Sequence, residues 1–422
     1  MAPLISLARL KLLFFQLRER LWVRPLLMCI ISVLAVLAAQ YADSTSLVRY
    51  TPDIALDSIE TLLTVLATGM LAIATFSVGS MVSAYVSASN TATPRSFSLV
   101  VSDDVSQNAL STFVGAFIFS VVAITAVKND FFQETGLFFL FLMILLVYVL
   151  VVLTFVRWVD RIARLGLLGS TIAKAEKATA AALYRRRKAP TLCGQKASSP
   201  EGGHSIYADN VGYVQQIDME ALQNCAEQHD LRINVVALPG TFATPARALA
   251  TILDARDGDN EHVANVSRAF SIGNDRLFDD DPRFGLIVLS EIAGRALSPG
   301  INDPGTAIDI TGTLVRLFSD WGKPVNADEL DEVMYDRITV PELDACDMFD
   351  DAFTAIARDG AGHVEVAIRL QKALHVLSLS SNPNVRDAAR RHARQALERA
   401  RLALRLPADL LAVEAVASLT LD

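Results

Sequence analysis

The sequence predicts a mainly α protein: a four-helix transmembrane bundle followed by a cytoplasmic domain that joins a small α+β module to an all-α bundle. Three observations predict it. Four apolar segments without a formal charge occupy the first 160 residues, a strand–helix–strand pattern follows a polar linker, and the chain beyond about residue 262 carries helical periodicity punctuated by Gly, Pro, Ser and Asn. A hydrophobic fraction of 52% is high for a soluble chain, and 422 residues exceed what one domain usually holds. The predicted limits are 1–24 for an amphipathic cytoplasmic segment, 25–160 for the spans, 161–203 for a helical extension and linker, 204–260 for the α+β module, and 261–422 for the helical domain.

Residues 3–20 mix Leu and Phe with Lys and Arg, as a helix lying on the inner membrane surface would. A cleaved signal peptide competes with this reading, because the apolar run 25–39 leads into the small-residue stretch AAQYA; the long basic leader and three further spans favour retention. The apolar segments 25–42, 61–94, 105–127 and 135–156 can each cross a hydrocarbon core of roughly 30 Å at about 1.5 Å per residue. Arg9, Lys11, Arg18, Arg20 and Arg24 precede the first, and Arg157, Arg161 and Arg164 follow the fourth, whereas the two outward loops hold only Arg49 and Lys128. By the positive-inside rule both termini are cytoplasmic.

The second span is unusual for its residues. At about 100° per residue, Thr61, Thr64, Thr68, Ala72, Thr75, Gly79, Ser83 and Asn90 fall on one stripe, with Leu62, Leu63, Leu66 and Phe76 off it. Hydroxyls and small side chains there call for another helix or water, so this span is expected inside the bundle. It is longer than a bilayer requires and should tilt, protrude or break near Asn90 to Pro94. The fourth span is bulky and suits contact with lipid.

A helical pattern runs on past Trp158 to Lys188 and ends in Arg185, Arg186, Arg187 and Lys188, read as a solvated helix end before the linker 189–203 rather than a headgroup site. Within 212–238, GYVQQID reads as a strand, Asp218 as the cap of a short helix, and LRINVVAL as a second strand. Helices are expected over 262–270, 282–297, 304–321, 345–358, 362–380, 384–405 and 407–419.

Residues 271–313 are the densest cluster of special residues. Asp281-Pro282 and Asp303-Pro304 each supply an acidic cap and a proline first turn, and Glu291 can pair with Arg295 four residues on. Between the two helices the loop SPGIN gathers Arg295, Ser298, Asn302, Asp303 and Thr306 into one neighbourhood. Three readings stay open: structural caps with a salt bridge, a site for an anion or small polar cytoplasmic ligand at a helix N-terminus, or oxygen ligands for Mg²⁺ or Ca²⁺ from 279–281 and 303. No EF-hand, P-loop, zincin or nucleophile-elbow spacing is present.

RALSPGINDPGTA, with DPRFGLIVLSEIA upstream, resembles the signature of a large bacterial family of predicted membrane proteins that carry a domain of unknown function. The resemblance extends to GYVQQID, to Pro239-Gly240-Thr241-Phe242, and to Pro94-Arg95 followed by Asp104, Gln107, Asn108, Leu110, Phe113, Gly115 and Phe117. It departs at the end of the second span, where Ala-Thr-Pro-Arg stands in place of Ser-Pro-Arg with larger neighbours. The resemblance implies a multi-pass protein of the bacterial inner membrane with four spans and a cytoplasmic domain, and no settled activity.

The function expected is an oligomeric channel-like protein whose pore is lined by Thr64, Thr68, Thr75, Gly79, Ser83 and Asn90 and regulated by the cytoplasmic domain. The alternative is a membrane-anchored sensor or scaffold. No span carries an ionisable residue near its middle, which counts against a coupled transporter. Six scattered histidines, four distant cysteines and Ser298 without a visible base give no catalytic or metal constellation, so no enzyme, metal or cofactor is expected. A net charge of −8 argues against a nucleic-acid partner, and the Arg-rich stretch 386–405 is read as a solvated face or subunit contact. Expected partners are the lipid bilayer and other copies of the chain.

Overall fold

The computed structural model describes residues 22–42, 54–96, 99, 103–164, 167–197, 202–253 and 260–421. The amphipathic segment predicted over 3–20 lies outside them. The described residues form two compact units, divided between Thr171 and Ile172.

The first unit is the predicted set of four spans: α1 (Val23–Ala42), α2 (Leu56–Thr91), α3 (Asp104–Lys128) and α4 (Glu134–Ile162). All four are long and apolar enough to cross a membrane. Their arrangement departs from expectation in one respect. α3 packs against each of the other three, while α1 and α2 reach each other mainly through it. Its small residues explain this: Gly115 lies so close to α1 that an added Cβ would sit 3.0 Å from the Met28 Cβ, and Ser32 donates to the Gly115 carbonyl at 2.8 Å. The third span, not the second, fills the middle of the chain's own bundle.

α2 has 36 residues, roughly 54 Å of helix, and stops at Thr91 where Pro94 opens a short 3-10 turn over Pro94–Ser96. α4 ends at Ile162, and a separate helix, α5 (Leu168–Lys188), begins beyond it. The single continuous helix expected through Lys188 is therefore interrupted, with Ala163 and Arg164 in a turn.

The second unit contains α5, eight strands and the remaining helices. β1 (Gly194–Lys196), β2 (His204–Tyr207), β4 (Ile233–Val235), β6 (Ala248–Ile252) and β8 (Tyr335–Val340) form one sheet in the order β1-β8-β4-β6-β2. β8 runs parallel to both its neighbours; the other two pairings are antiparallel. β3 (Gly212–Ile217) lies between β5 (Phe242–Ala243) and β7 (Phe270–Gly273) in a second, antiparallel sheet. GYVQQID and LRINVVAL thus hold the predicted strands, and the Asp218 carboxylate caps α6 (Met219–Gln228) by accepting the Ala221 amide at 3.0 Å. Three strands come from outside the predicted module: β1 from the linker, and β7 and β8 from within the helical stretch. The sheet and the helices consequently share one unit.

After α7 (Asn260–Arg268), the helices α8 (Pro282–Ala296), α9 (Pro304–Trp321), α10 (Ala345–Asp359), α11 (Val364–Ser378), α12 (Pro383–Ala403) and α13 (Pro407–Leu421) follow the predicted order closely. α8 packs on α9 and α10, and α11 on α9, α12 and α13. Phe318, Phe349, Phe353 and the wholly buried His392 stack at the centre of this bundle.

Candidate functional site

In the membrane unit the face geometry of α2 is sharply divided. Ile59, Leu63, Leu66, Met70, Ala74, Ser77, Met81, Ala84 and Ala88 turn into the bundle and are buried. The opposite face is exposed and carries Thr64, Thr68, Thr75, Gly79 and Ser83. The side chain of Asn90 lies outside the described residues. Periodicity therefore grouped these residues correctly, but the stripe points away from the chain's own bundle, contrary to the expectation that the second span lies inside it. Ile59, Leu63, Leu66, Met70 and Met81 on the buried side fill space in the bundle that Thr and Gly could not, while Leu71, Phe76 and Val78 stay exposed beside the hydroxyls.

The hydroxyls on this face are already bonded to their own helix. Thr64 donates to the Glu60 carbonyl at 2.7 Å, Thr68 to Thr64 at 2.9 Å and Thr75 to Leu71 at 2.9 Å. Each oxygen keeps lone pairs directed outward, so the face presents acceptors rather than donors. Val65, Leu71, Phe76, Val78, Val82 and Val86 share the exposed side, so hydroxyls are interspersed with apolar side chains along it. Nothing lies within 4 Å of a Cβ placed on Gly69 or Gly79.

One end of the bundle holds an ionic lattice that sequence reading passed over. Asp103 is buried, accepts the Ser106 amide and hydroxyl at 3.2 and 2.8 Å, and pairs with Arg161 of α4. Arg24 of α1 pairs with Asp104 and donates to Asn108 at 2.7 Å. Asp104, Asn108 and Gly115 were singled out by family resemblance, and the structure supplies their roles: two clamp the first span and the third admits it closely.

In the other unit, the signature loop resolves into caps. Asp303 accepts the Thr306 amide at 3.1 Å and the Thr306 hydroxyl at 2.6 Å, and these bonds hold its carboxyl below the usual carboxylate range. Ser298 donates to the Arg295 carbonyl at 2.6 Å, ending α8. Asn302 adopts a φ of 52° and its amide returns to the Ser298 carbonyl at 2.8 Å, while the Asp303 amide reaches Ala296 at 2.7 Å. Ser298, Asn302, Asp303 and Thr306 are brought together as predicted, but the side chains of Ser298, Asp303 and Thr306 and the Asn302 backbone amide bond within the turn itself. Asp281 caps the start of α8 and Asp303 follows its end, so a helix of 15 residues, roughly 22 Å, separates them. They cannot share a cation, which removes the joint metal reading.

Asp281 instead lies at a buried junction. Arg276 grips it through Nε at 2.6 Å and Nη2 at 2.9 Å, and the Phe284 amide donates to it at 3.1 Å. Burial pushes this carboxyl up, against the pull of Arg276 and the amide. Gly240, at a φ of +91°, closes over it: a Cβ there would stand 2.2 Å from Asp281 Oδ2. Gly285 admits α5 equally closely, with the Thr179 hydroxyl 2.0 Å from where a Cβ would be. The basic end of α5 is solvated only in part. Arg185 donates to the Asp279 carbonyl and Arg187 to the Asp320 carbonyl, and Arg186 is buried.

The family described as "Predicted membrane protein (DUF2254)" matches residues 18–376. An uncharacterized protein of Mycobacterium bovis and another of Mycobacterium tuberculosis are each 30% identical over 128 residues, 29% of this chain. The chain spans 24% of the length of these curated relatives. No solved structure matches it.

Proposed function

Given that the chain belongs to the family of predicted membrane proteins matched over residues 18–376, we propose that it forms an oligomeric, channel-like assembly that passes ions or small solutes along the exposed face of α2. The observation that carries this reading is the outward direction of that face. A membrane helix that turns Thr64, Thr68, Thr75, Gly79 and Ser83 away from its own bundle, among apolar side chains, is best completed by other copies of itself around water. Outward lone pairs replace part of an ion's hydration without a fixed charge, and the intervening Val65, Val82 and Val86 narrow the path with surfaces that shed water. The assembly resides in the bacterial inner membrane with both termini cytoplasmic, and the unit beginning at Ile172 regulates it.

The test is tracer-ion flux into liposomes containing purified protein. Gly79→Leu adds bulk on the exposed face, where a Cβ meets nothing within 4 Å outside its own helix backbone, and is expected to narrow the path. The expected result is flux in the native protein and its loss in the variant. No flux in the native protein, or equal flux in both, turns the account to the second reading, a membrane-anchored sensor or scaffold whose large helical unit binds a ligand or partner.

A further inference from the structure

We propose that the outer face of α13 is a contact surface for a second copy of this chain, the two α13 helices lying antiparallel against each other. The inner side of α13 is spoken for: Val413 and Ala417 are buried against Ala367 of α11 and Leu397 and Ala400 of α12. The outer side is apolar as well. Ala408, Leu411, Ala412, Ala415 and Leu419 fall within an arc of about 100°, and all five are exposed. Leu411 is 64% exposed and Leu419 62%; at the turn where α13 begins, Leu402 is 90% and Leu406 57% exposed. A helix that faces water on one side carries polar residues there, whereas one that is apolar on both sides is covered on both.

Size, shape and charge identify the cover as the same helix of another copy. The exposed side chains of this face and its turn amount to roughly 600 Å² on one copy and about 1,200 Å² between two, the lower edge of the range for specific interfaces. Their shape is self-complementary. With two copies set antiparallel about a two-fold axis, Ala408 lies opposite the partner's Leu419 and Ala412 opposite the partner's Ala415, so that bulky side chains meet small ones and the helices approach closely. The same register carries Arg405 to the C-terminal end of the partner's α13. That end has no basic residue in its last turn, and the helix dipole there favours a cation. Arg405 is exposed, whereas Arg401 is committed to Glu398 and Glu414. A bilayer surface fits less well, because α13 contains no Lys or Arg to meet headgroups and flanks its apolar face with Asp409 and Glu414. The contact goes beyond the α2 reading and stands whether or not ions pass there.

The experiment is crosslinking of the full-length protein in membranes with a short bismaleimide, for native protein, Ala412→Cys and Asp209→Cys. Native protein gives the background from its own four cysteines, and Asp209, exposed in the turn between β2 and β3, gives that of an unrelated surface position. A412C is expected to yield a covalent dimer well above both. Adding Ala415→Glu, which sets a charge at the centre of the contact, is expected to return the A412C product to background without changing the unfolding temperature. Where A415E does lower that temperature, Leu411→Lys, at an exposed site, makes the same comparison. A412C dimer no greater than that of D209C, or dimer undiminished by the charged substitution, overturns the inference. So does a fluorophore on A412C that is quenched by spin-labelled lipid while no dimer forms, which would name the bilayer as the occupant. The dimer is expected in Gly79→Leu as well, so a failed flux assay and a failed crosslink are told apart.

Discussion

Replacing Gly240 by alanine separates backbone strain from close approach in the second unit. Gly240 has a φ of +91°, where an L side chain costs about 1–2 kcal/mol. Its added Cβ would also lie 2.2 Å from Asp281 Oδ2, 2.5 Å from Asp281 Cγ and 2.8 Å from Arg276 Nη2. Ordinary contact needs roughly 3.4 Å, so the carboxylate must retreat by about 1 Å and leave Arg276, now 2.6 Å away through Nε. Separating a buried ion pair costs about 3–5 kcal/mol, and with partial relaxation the sum is about 4 kcal/mol. At about 2–4 °C per kcal/mol for a unit of this size, unfolding should fall by roughly 8–16 °C. Gly202→Ala supplies the control, for Gly202 has a φ of +92° with nothing within 4 Å of its Cβ. It should shift unfolding by only about 2–8 °C. Both variants are read by thermal unfolding of the full-length protein, and equal shifts in the two would refute the argument that Asp281 is clamped beneath Gly240.

In the membrane unit, Gly115→Val should destabilise the bundle by about 1–3 kcal/mol through overpacking against Met28, whereas Gly69→Val, with open space around it, should be near neutral; denaturation in detergent distinguishes them. His392 is wholly buried, and burial lowers its pKa to about 4, with Asp350 opposing that shift and Arg391 and Arg399 adding to it. The unfolded chain binds this proton near pH 6.5 and the folded chain does not, so stability is full above 6.5 and falls by roughly 3 kcal/mol as pH drops to about 4. His392→Leu should flatten that slope in a pH series of unfolding temperatures, and an unchanged slope would show that other groups set it.

Local signals account for what the sequence disclosed. Asp-Pro pairs at 281–282 and 303–304 mark two helices whose caps form as expected, and Asn382-Pro383 starts a third in a similar way, Asn382 accepting the Asn384 amide at 3.0 Å. Nonlocal pairing accounts for what it hid. β8 reads as a short alternating run, but its partners β1 and β4 lie about a hundred residues or more upstream, and no local pattern announces them. Arg186 looks like one member of a solvated basic run because burial there comes from α8 and the loop before it. The α2 stripe was legible as a face, yet its direction was not, because neither side of the helix carries charge. The same small-residue criterion applied to the third span, with Ala109, Gly115, Ala116, Ala123 and Ala126, identifies the helix that occupies the middle of the chain's own bundle.

The most direct measurement is a determined structure of the purified particle in lipid nanodiscs, read for the surroundings of Thr68, Thr75 and Ser83. The expected result is a symmetric assembly in which these side chains from several copies face one shared, solvated axis. A particle in which they meet acyl chains, with the outward side of α2 forming the lipid boundary, would contradict the account.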